Sequence, residues 1–274
     1  MRGAAAVNVL KTLLLVALLA GLLAGAGWLL DGFRGATLFA FCGLLAALAV
    51  AYVGDRALLG MLGARPFAVA EDPLLRTTAD RVAARLRLPP PKLSLIDDGF
   101  PRAGVVGRGP RGATLVVSTG LLAALPPDEL EALLAHELAH VRARDVLTQS
   151  FAVLFAATLL EASRVGGWLS RALLYVLAPV GAAFVHALLS PKRELRADAA
   201  AARVSDAGAL GAALLRLDRA SELVSFRASP ATEPLYPVDP FAPEGLARMF
   251  RTHPPLEARL RRLNVERPPA GGLS

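Results

Sequence analysis

Residues 128–145 read DELEALLAHELAHVRARD, and this helix-sized stretch places His136, Glu137 and His140 in the pattern His-Glu-x-x-His. Side chains four positions apart lie on one face of an α-helix, so both imidazoles can reach a single metal ion. Glu137 projects from the next position, where its carboxylate can contact a water molecule at that metal. The pattern predicts a zinc-binding helix, although a surface helix with two unrelated histidines would show the same letters.

The composition indicates a membrane protein. Hydrophobic residues make up 54% of the 274 positions, charged residues only 19%, and the mean hydropathy is +0.48, which exceeds the norm for soluble proteins. The net charge of +7 does not predict nucleic-acid binding, because most of the basic residues flank apolar segments or lie on amphipathic helices without interleaved aromatic residues. Cys42 is the single cysteine, so the chain has no intrachain disulfide, and no thiolate is available near His136.

The N-terminal part is predicted to form a transmembrane hairpin. Residues 7–30 and 36–54 are largely apolar, and each is about long enough to cross a bilayer core of roughly 30 Å. The five-residue connector 31–35 is too short for a domain. The first segment could instead be a cleaved signal peptide, because Ala-Gly-Ala at 24–26 resembles a cleavage site.

Basic residues give the orientation of this hairpin. Arg2 and Lys11 stand at its start, Arg56 and Arg65 stand at its end, and the connector has no net positive charge. By the positive-inside rule both ends face the cytoplasm. We therefore predict a multi-pass protein of the cell inner (plasma) membrane, with its metal-binding domain in the cytoplasm.

The remaining chain alternates between domain-like and apolar sequence. A helix ending before Pro89 and β-rich runs at 92–96 and 113–118 predict a small sheet before the zinc helix, with an edge to which an extended peptide can add as a strand. A second apolar hairpin follows, and its first limb contains Gln149 and Glu161, so a re-entrant helix remains an alternative to full spanning. His186, in the second limb, is interpreted as a packing histidine.

The predicted fold class is α+β, mainly α-helical, with a small β-sheet beside the zinc-binding helix and about four membrane helices. The predicted divisions are the N-terminal transmembrane hairpin at 1–56, the first part of the metal-binding domain at 57–145, the second hairpin at 146–189, and the second part of the domain at 190–274.

A third ligand is needed, because a catalytic zinc has three protein ligands and keeps one position for water. Every carboxylate after His140 is eligible, but Glu194 and Asp198 stand out as Glu-x-x-x-Asp at the start of a helix. The spacing puts both on one face, so Glu194 can bind zinc while Asp198 accepts the N–H of a ligand histidine. The alternative is a solvated pair among Lys192, Arg193 and Arg196.

Three ordered motifs resemble one family, and the resemblance covers nearly the whole chain. HELAH at 136–140, SPKRELRAD at 190–198 and LARMFRTHPPLEARLRRL at 246–263 are similar to the HtpX-like membrane zinc metalloproteases, which are gluzincins related to the prenyl-protein endoproteases. The resemblance implies one Zn²⁺ per chain, bound by His136, His140 and Glu194, with Glu137 as the catalytic base. It also implies that His253 and Arg259 stabilise the developing oxyanion and brace the site.

One segment departs from the family pattern. Where relatives often carry Pro-Asn-Ala-Phe-Ala-x-Gly-Arg in the edge strand, residues 101–108 read PRAGVVGR. Arg102 replaces the asparagine and Gly104 replaces the aromatic residue. The contacts that grip a substrate are therefore expected to differ, whereas the metal chemistry is not affected.

The expected function is hydrolysis of peptide bonds in membrane or misfolded proteins, as part of protein quality control. His140 lies about 9 Å of helical rise before the apolar run at 146, and Glu194 about 6 Å after Ser190, so cleavage is expected near the cytoplasmic membrane surface. The expected partners are membrane-protein or unfolded polypeptide substrates and the lipid bilayer, with no nucleic acid. The oligomeric state is left open. The alternatives are a specific peptide- or prenyl-protein-processing protease and a catalytically silent membrane scaffold.

Overall fold

The computed structural model describes residues 2–154, 189–223, 235–237 and 253–265. Most of the predicted second hairpin, with Glu161 and His186, lies outside the described residues. The same holds for residues 246–252 of the third motif, which include Thr252. The start of that hairpin is helical over residues 145–154.

The first helical element, α1 (Arg2–Met61), breaks within the predicted connector. The backbone leaves helical geometry at Asp31 (φ −148°, ψ 35°) and Gly32 (φ 54°, ψ −139°), and the positive φ of Gly32 suits a residue without a Cβ. A Cβ on Gly27 would lie 2.2 Å from the carbonyl oxygen of Gly35, so the chain reverses and its two limbs meet at these glycines. Among the described residues, no helix combines the length and apolar character needed to cross a membrane. Membrane integration therefore stays a prediction.

A small mixed sheet follows α1. Its strands are β1 (Arg65–Pro66), β2 (Lys92–Ile96), β3 (Ala103–Val106) and β4 (Thr114–Ser118), in the order β1-β2-β4-β3. β2 and β4 are parallel, with Lys92 opposite Thr114, whereas β1 and β3 are antiparallel to their neighbours. The two predicted β-rich runs form β2 and β4, and β3 lies at one edge of the sheet.

Besides the helical residues 145–154, six further helices are described: α2 (Pro73–Arg85), α3 (Thr119–Ala124), α4 (Pro127–Ala143), α5 (Lys192–Ala201), α6 (Ala207–Leu223) and α7 (Leu256–Leu263). α2 begins where Asp72 accepts a hydrogen bond from the backbone N–H of Leu75 at 2.9 Å, a typical N-cap. The described chain is thus mainly helical with a four-stranded sheet, and the predicted α+β class is confirmed at this level.

α4 lies at the centre of the main core. Its Leu133, Leu134 and Leu138 are almost completely buried, and they belong to one cluster with apolar residues of α2, α6 and one face of the sheet. The other face of the sheet contacts the end of α1 together with Leu235 and Tyr236. Because α4 packs against α2, α6 and the sheet, its polar side chains are held in fixed positions by close packing.

Candidate metal centre

The sequence of α4 explains why its two histidines are buried at one place. Pro127 is the first helical residue, and the acidic side chains of Asp128 and Glu129 lie in the first turn, where the helix dipole favours them. His136 and His140 follow in the buried half of the helix, with 0% and 3% of their surface exposed. Their ring centroids are 5.0 Å apart and the rings are nearly perpendicular.

α5 supplies the third member of the group. Glu194, which is 1% exposed, places Oε2 3.4 Å from His136 Nε2 and Oε1 3.6 Å from His140 Nε2. Each of the three residues offers one ligand atom, and these three atoms lie within 4.8 Å of one another. The Glu-x-x-x-Asp motif is therefore not an ordinary solvated pair.

These residues fit a metal ion. Two of the buried atoms that face each other, His136 Nε2 and Glu194 Oε2, have no hydrogen-bond partner, and leaving buried polar atoms unsatisfied is costly. Ligand atoms bound tetrahedrally at about 2.0 to 2.1 Å would lie about 3.3 to 3.5 Å apart, close to the observed distances. Two imidazoles and a carboxylate are also the donors that catalytic zinc sites use.

Asp198 lies behind His136, as the spacing predicted. Its Oδ1 atom is 2.9 Å from His136 Nδ1. The other ring nitrogen, Nε2, therefore points into the group of His136, His140 and Glu194, which we call the ligand group. Arg259 of α7 binds the same carboxylate through two donors, at 2.8 and 2.7 Å, and its third contact is a hydrogen bond to the carbonyl oxygen of Pro237. Arg259 is 1% exposed and acts on the ligand group through Asp198.

His253 is also brought to the ligand group. Its Nε2 atom lies 3.7 Å from Glu194 Oε2, and its side chain is 6% exposed. The residue stands three positions before α7, so the helix that carries Arg259 also positions His253. The third sequence motif therefore places two side chains at the same centre.

The charges within this group are tightly linked. Burial disfavours the ionised form of Glu194, but the charges of His140, His253 and Arg193 hold its pKa well below the ordinary value. Burial likewise opposes ionisation of Asp198, and Arg259 lowers its pKa to about 2. The pKa of Glu137 is raised, mainly by burial, although the histidine charges oppose this. A carboxylate of raised pKa is the stronger base.

Sequence reasoning missed Asp145. Its Oδ2 atom lies 3.2 Å from His140 Nδ1. Asp145 therefore contacts the Nδ1 side of His140 in the same way as Asp198 contacts the Nδ1 side of His136. Five helical positions would turn Asp145 away from His140, but α4 ends at Ala143. Its C-cap Arg144 adopts a left-handed conformation (φ 59°, ψ 31°) and redirects the chain. The only available signal was a carboxylate shortly after the motif.

Changing Asp145 to asparagine is expected to weaken metal binding about 10- to 100-fold, the usual effect of losing a partner that orients a ligand. Competition with a chelator of known affinity would measure it. Asp128→Asn, on the exposed start of the same helix, is the matched control. Unchanged metal affinity in Asp145→Asn would contradict an orienting role.

The two departures in the edge strand have structural explanations. Arg102 lies 2.7 Å from Asp98 across four positions, and its side chain is only 9% exposed. A Cβ on Gly104 would lie 2.3 Å from the carbonyl oxygen of Leu235. Gly104 thus allows the backbone of residues 235–237 to pack on β3, and the same residues reach Arg259 through Pro237.

Comparisons with known proteins identify the family of this chain. Residues 70–267 match peptidase family M48. The chain is 35% identical to a protease HtpX homolog of Pelotomaculum thermopropionicum, over 94% of this chain and 99% of that relative. It is 37% identical to one of Acidiphilium cryptum, over 93% and 96%.

The fold is similar to that of a solved structure, S. mikatae Ste24p. The TM-score is 0.53 at 18% sequence identity, over 96% of this chain and 67% of that one. The matched family segment contains all three motifs of the candidate centre. This chain therefore belongs to peptidase family M48 and is a metalloendopeptidase.

Proposed function

We propose that this protein is a membrane-bound zinc endopeptidase that hydrolyses peptide bonds of membrane or misfolded proteins near the cytoplasmic membrane surface. The observation that carries the proposal is the buried group of His136, His140 and Glu194, with Glu137 adjacent on α4. A zinc ion held by these three residues would supply a Lewis acid that polarises the scissile carbonyl and acidifies a water molecule.

Three side chains of the protein then have separate roles in the reaction. Glu137 accepts the proton of the attacking water and donates it to the departing amine, because it is the buried carboxylate beside the ligand group with a raised pKa. His253 donates to the oxygen that becomes negatively charged, a contact supported by its position 3.7 Å from Glu194. Arg259 fixes Asp198, which in turn fixes the tautomer of His136.

The membrane location is supported by the apolar surface of the first helical hairpin. Soluble monomers rarely expose large contiguous apolar patches. The large apolar side chains that α1 exposes include Trp28, Leu29, Phe33, Leu38, Phe41, Leu44, Leu45 and Leu48. The flanking basic residues support a plasma-membrane (inner-membrane) protein whose peptidase domain faces the cytoplasm.

Two features support a polypeptide substrate close to the bilayer. His140 and Glu194 are separated from the apolar run 146–189 by only a few residues on either side. β3 is the last strand of the described sheet, and we expect an extended substrate chain to add beside it and present a carbonyl to His136, His140 and Glu194.

The proposal is tested by metal analysis combined with membrane proteomics. The purified chain should contain one zinc per molecule. Cells with the wild-type protein should show membrane or misfolded proteins depleted relative to cells with an inactive Glu137→Gln protein, with cleavage sites near predicted membrane boundaries. A single processed peptide or prenylated substrate would point to specific maturation, and identical proteomes with no bound zinc would point to a silent scaffold.

A further inference from the structure

A cavity of about 170 Å³ lies between α4 and α5, and its lining includes no residue of the described sheet. Alanines of both helices, including Ala139, Ala143 and Ala197, line it. Because an alanine side chain ends at Cβ, the two helices pack here without filling the space between them. The cavity does not include any of the three atoms proposed to bind the metal.

The polar lining of this arginine cavity is basic. It consists of Arg193, Arg196 and Arg203 with one carboxylate, that of Asp145. Asp145 faces His140, and Arg193 is buried with Nε 3.2 Å from Glu194 Oε1. Arg196 and Arg203 are exposed, and neither forms a salt bridge to a carboxylate of the described residues. Arg196 Nε donates a hydrogen bond to the carbonyl oxygen of Lys192 at 3.3 Å, which does not neutralise the positive charge of Arg196, so both guanidinium groups can attract an incoming anion.

The arginine cavity also lies at the level where the chain is proposed to meet the bilayer. Asp145 immediately precedes the apolar run that begins at Val146, and Arg193 follows the last residue of that run, Leu189, by only four positions. Guanidinium groups bind phosphate through paired N–H donors. Basic pockets beside membrane segments on the cytoplasmic side suit lipid headgroups.

We propose that the arginine cavity binds the phosphate group of an anionic phospholipid. The proposal rests on the membrane location argued under the proposed function and adds a ligand to it. The lipid phosphate would contact Arg196 and Arg203 at the mouth of the cavity, while its acyl chains remain in the bilayer. The wall formed by Asp145 places this headgroup one side chain away from His140.

The test uses the full-length Glu137→Gln protein in detergent, which avoids self-cleavage. Phosphatidylglycerol and phosphatidylcholine are offered in equal amounts, and bound lipid is counted by native mass spectrometry. The double variant Arg196→Gln/Arg203→Gln should bind phosphatidylglycerol about tenfold less or weaker still. The matched control Lys192→Gln/Arg262→Gln, which loses the same two charges outside the cavity, should change by less than twofold.

Three results would overturn the proposal: equal losses in both double variants, equal binding of the two lipids, or displacement of phosphatidylglycerol by equimolar inorganic phosphate. The last result would assign the cavity to a soluble anion. Zinc content is measured on the same samples. Cleavage is measured on the same arginine and control variants made in a protein that keeps Glu137, because the Glu137→Gln background is inactive. If the arginine double variant loses lipid binding but keeps zinc and cleavage, the lipid site is separate from the peptidase centre. If the proposed function is wrong, the wild-type protein itself lacks zinc or does not cleave.

Discussion

Replacing Glu137 by glutamine is expected to lower the rate of peptide-bond cleavage by a factor of about 10² to 10⁴, the usual contribution of a general base, while zinc remains bound. Glutamine has nearly the same shape but does not accept the proton of the attacking water. The ligand group consists of His136, His140 and Glu194 without Glu137, so the substitution leaves its donor atoms in place.

The measurement compares turnover of an unfolded protein substrate by detergent-solubilised wild type and variant, with zinc quantified in both. Glu131→Gln is the matched control, because it makes the same change on α4 but contacts Arg81 and Arg85 on the outer surface. Wild-type activity in Glu137→Gln would remove Glu137 from the mechanism. Loss of zinc would make it a ligand instead of a base.

Replacing Arg259 by leucine is expected to destabilise the protein by about 3 to 5 kcal/mol, because it leaves the carboxylate of Asp198 buried without its cationic partner. Both side chains are almost completely buried, and their closest pair of atoms is 2.7 Å apart. Such a loss is a large part of the total stability of a typical domain.

A double-mutant cycle separates stability from metal binding. Asp198→Leu combined with Arg259→Leu removes both charges and should recover much of the stability lost in either single variant. Metal affinity should stay low in the double variant, because His136 no longer has a partner at Nδ1. Denaturant unfolding measures the first quantity and chelator competition the second. Additive losses of stability in the double variant would show that the two side chains are not coupled.

The parts of the site that sequence could predict are those that follow helical spacing. His136 and His140, four apart on α4, and Glu194 and Asp198, four apart on α5, lie as the period of the α-helix requires. The β-rich runs before α4 also form the predicted strands. In each case the local pattern and the tertiary environment favour the same structure.

The parts that escaped prediction depend on backbone geometry between distant segments. Asp145 reaches His140 only because Arg144 is left-handed, and no helical period anticipates that turn. The role of Gly104 depends on Leu235, more than a hundred positions later. The spacing of residue types in the sequence does not show that one residue adopts a left-handed conformation. It also does not show that the backbone of a remote segment packs against a strand.

The dependence of Asp198 on Arg259 has a consequence for the timing of synthesis. The ligand group draws on residues 136–140 and 194, but the side chains that orient and complete it, Arg259 and His253, come with α7, the last helix of the described chain. A ribosome that has released only α4 and α5 has made His136, His140 and Glu194 but neither Arg259 nor His253. The group of His136, His140 and Glu194 therefore lacks Arg259 and His253 until α7 has been made and has docked.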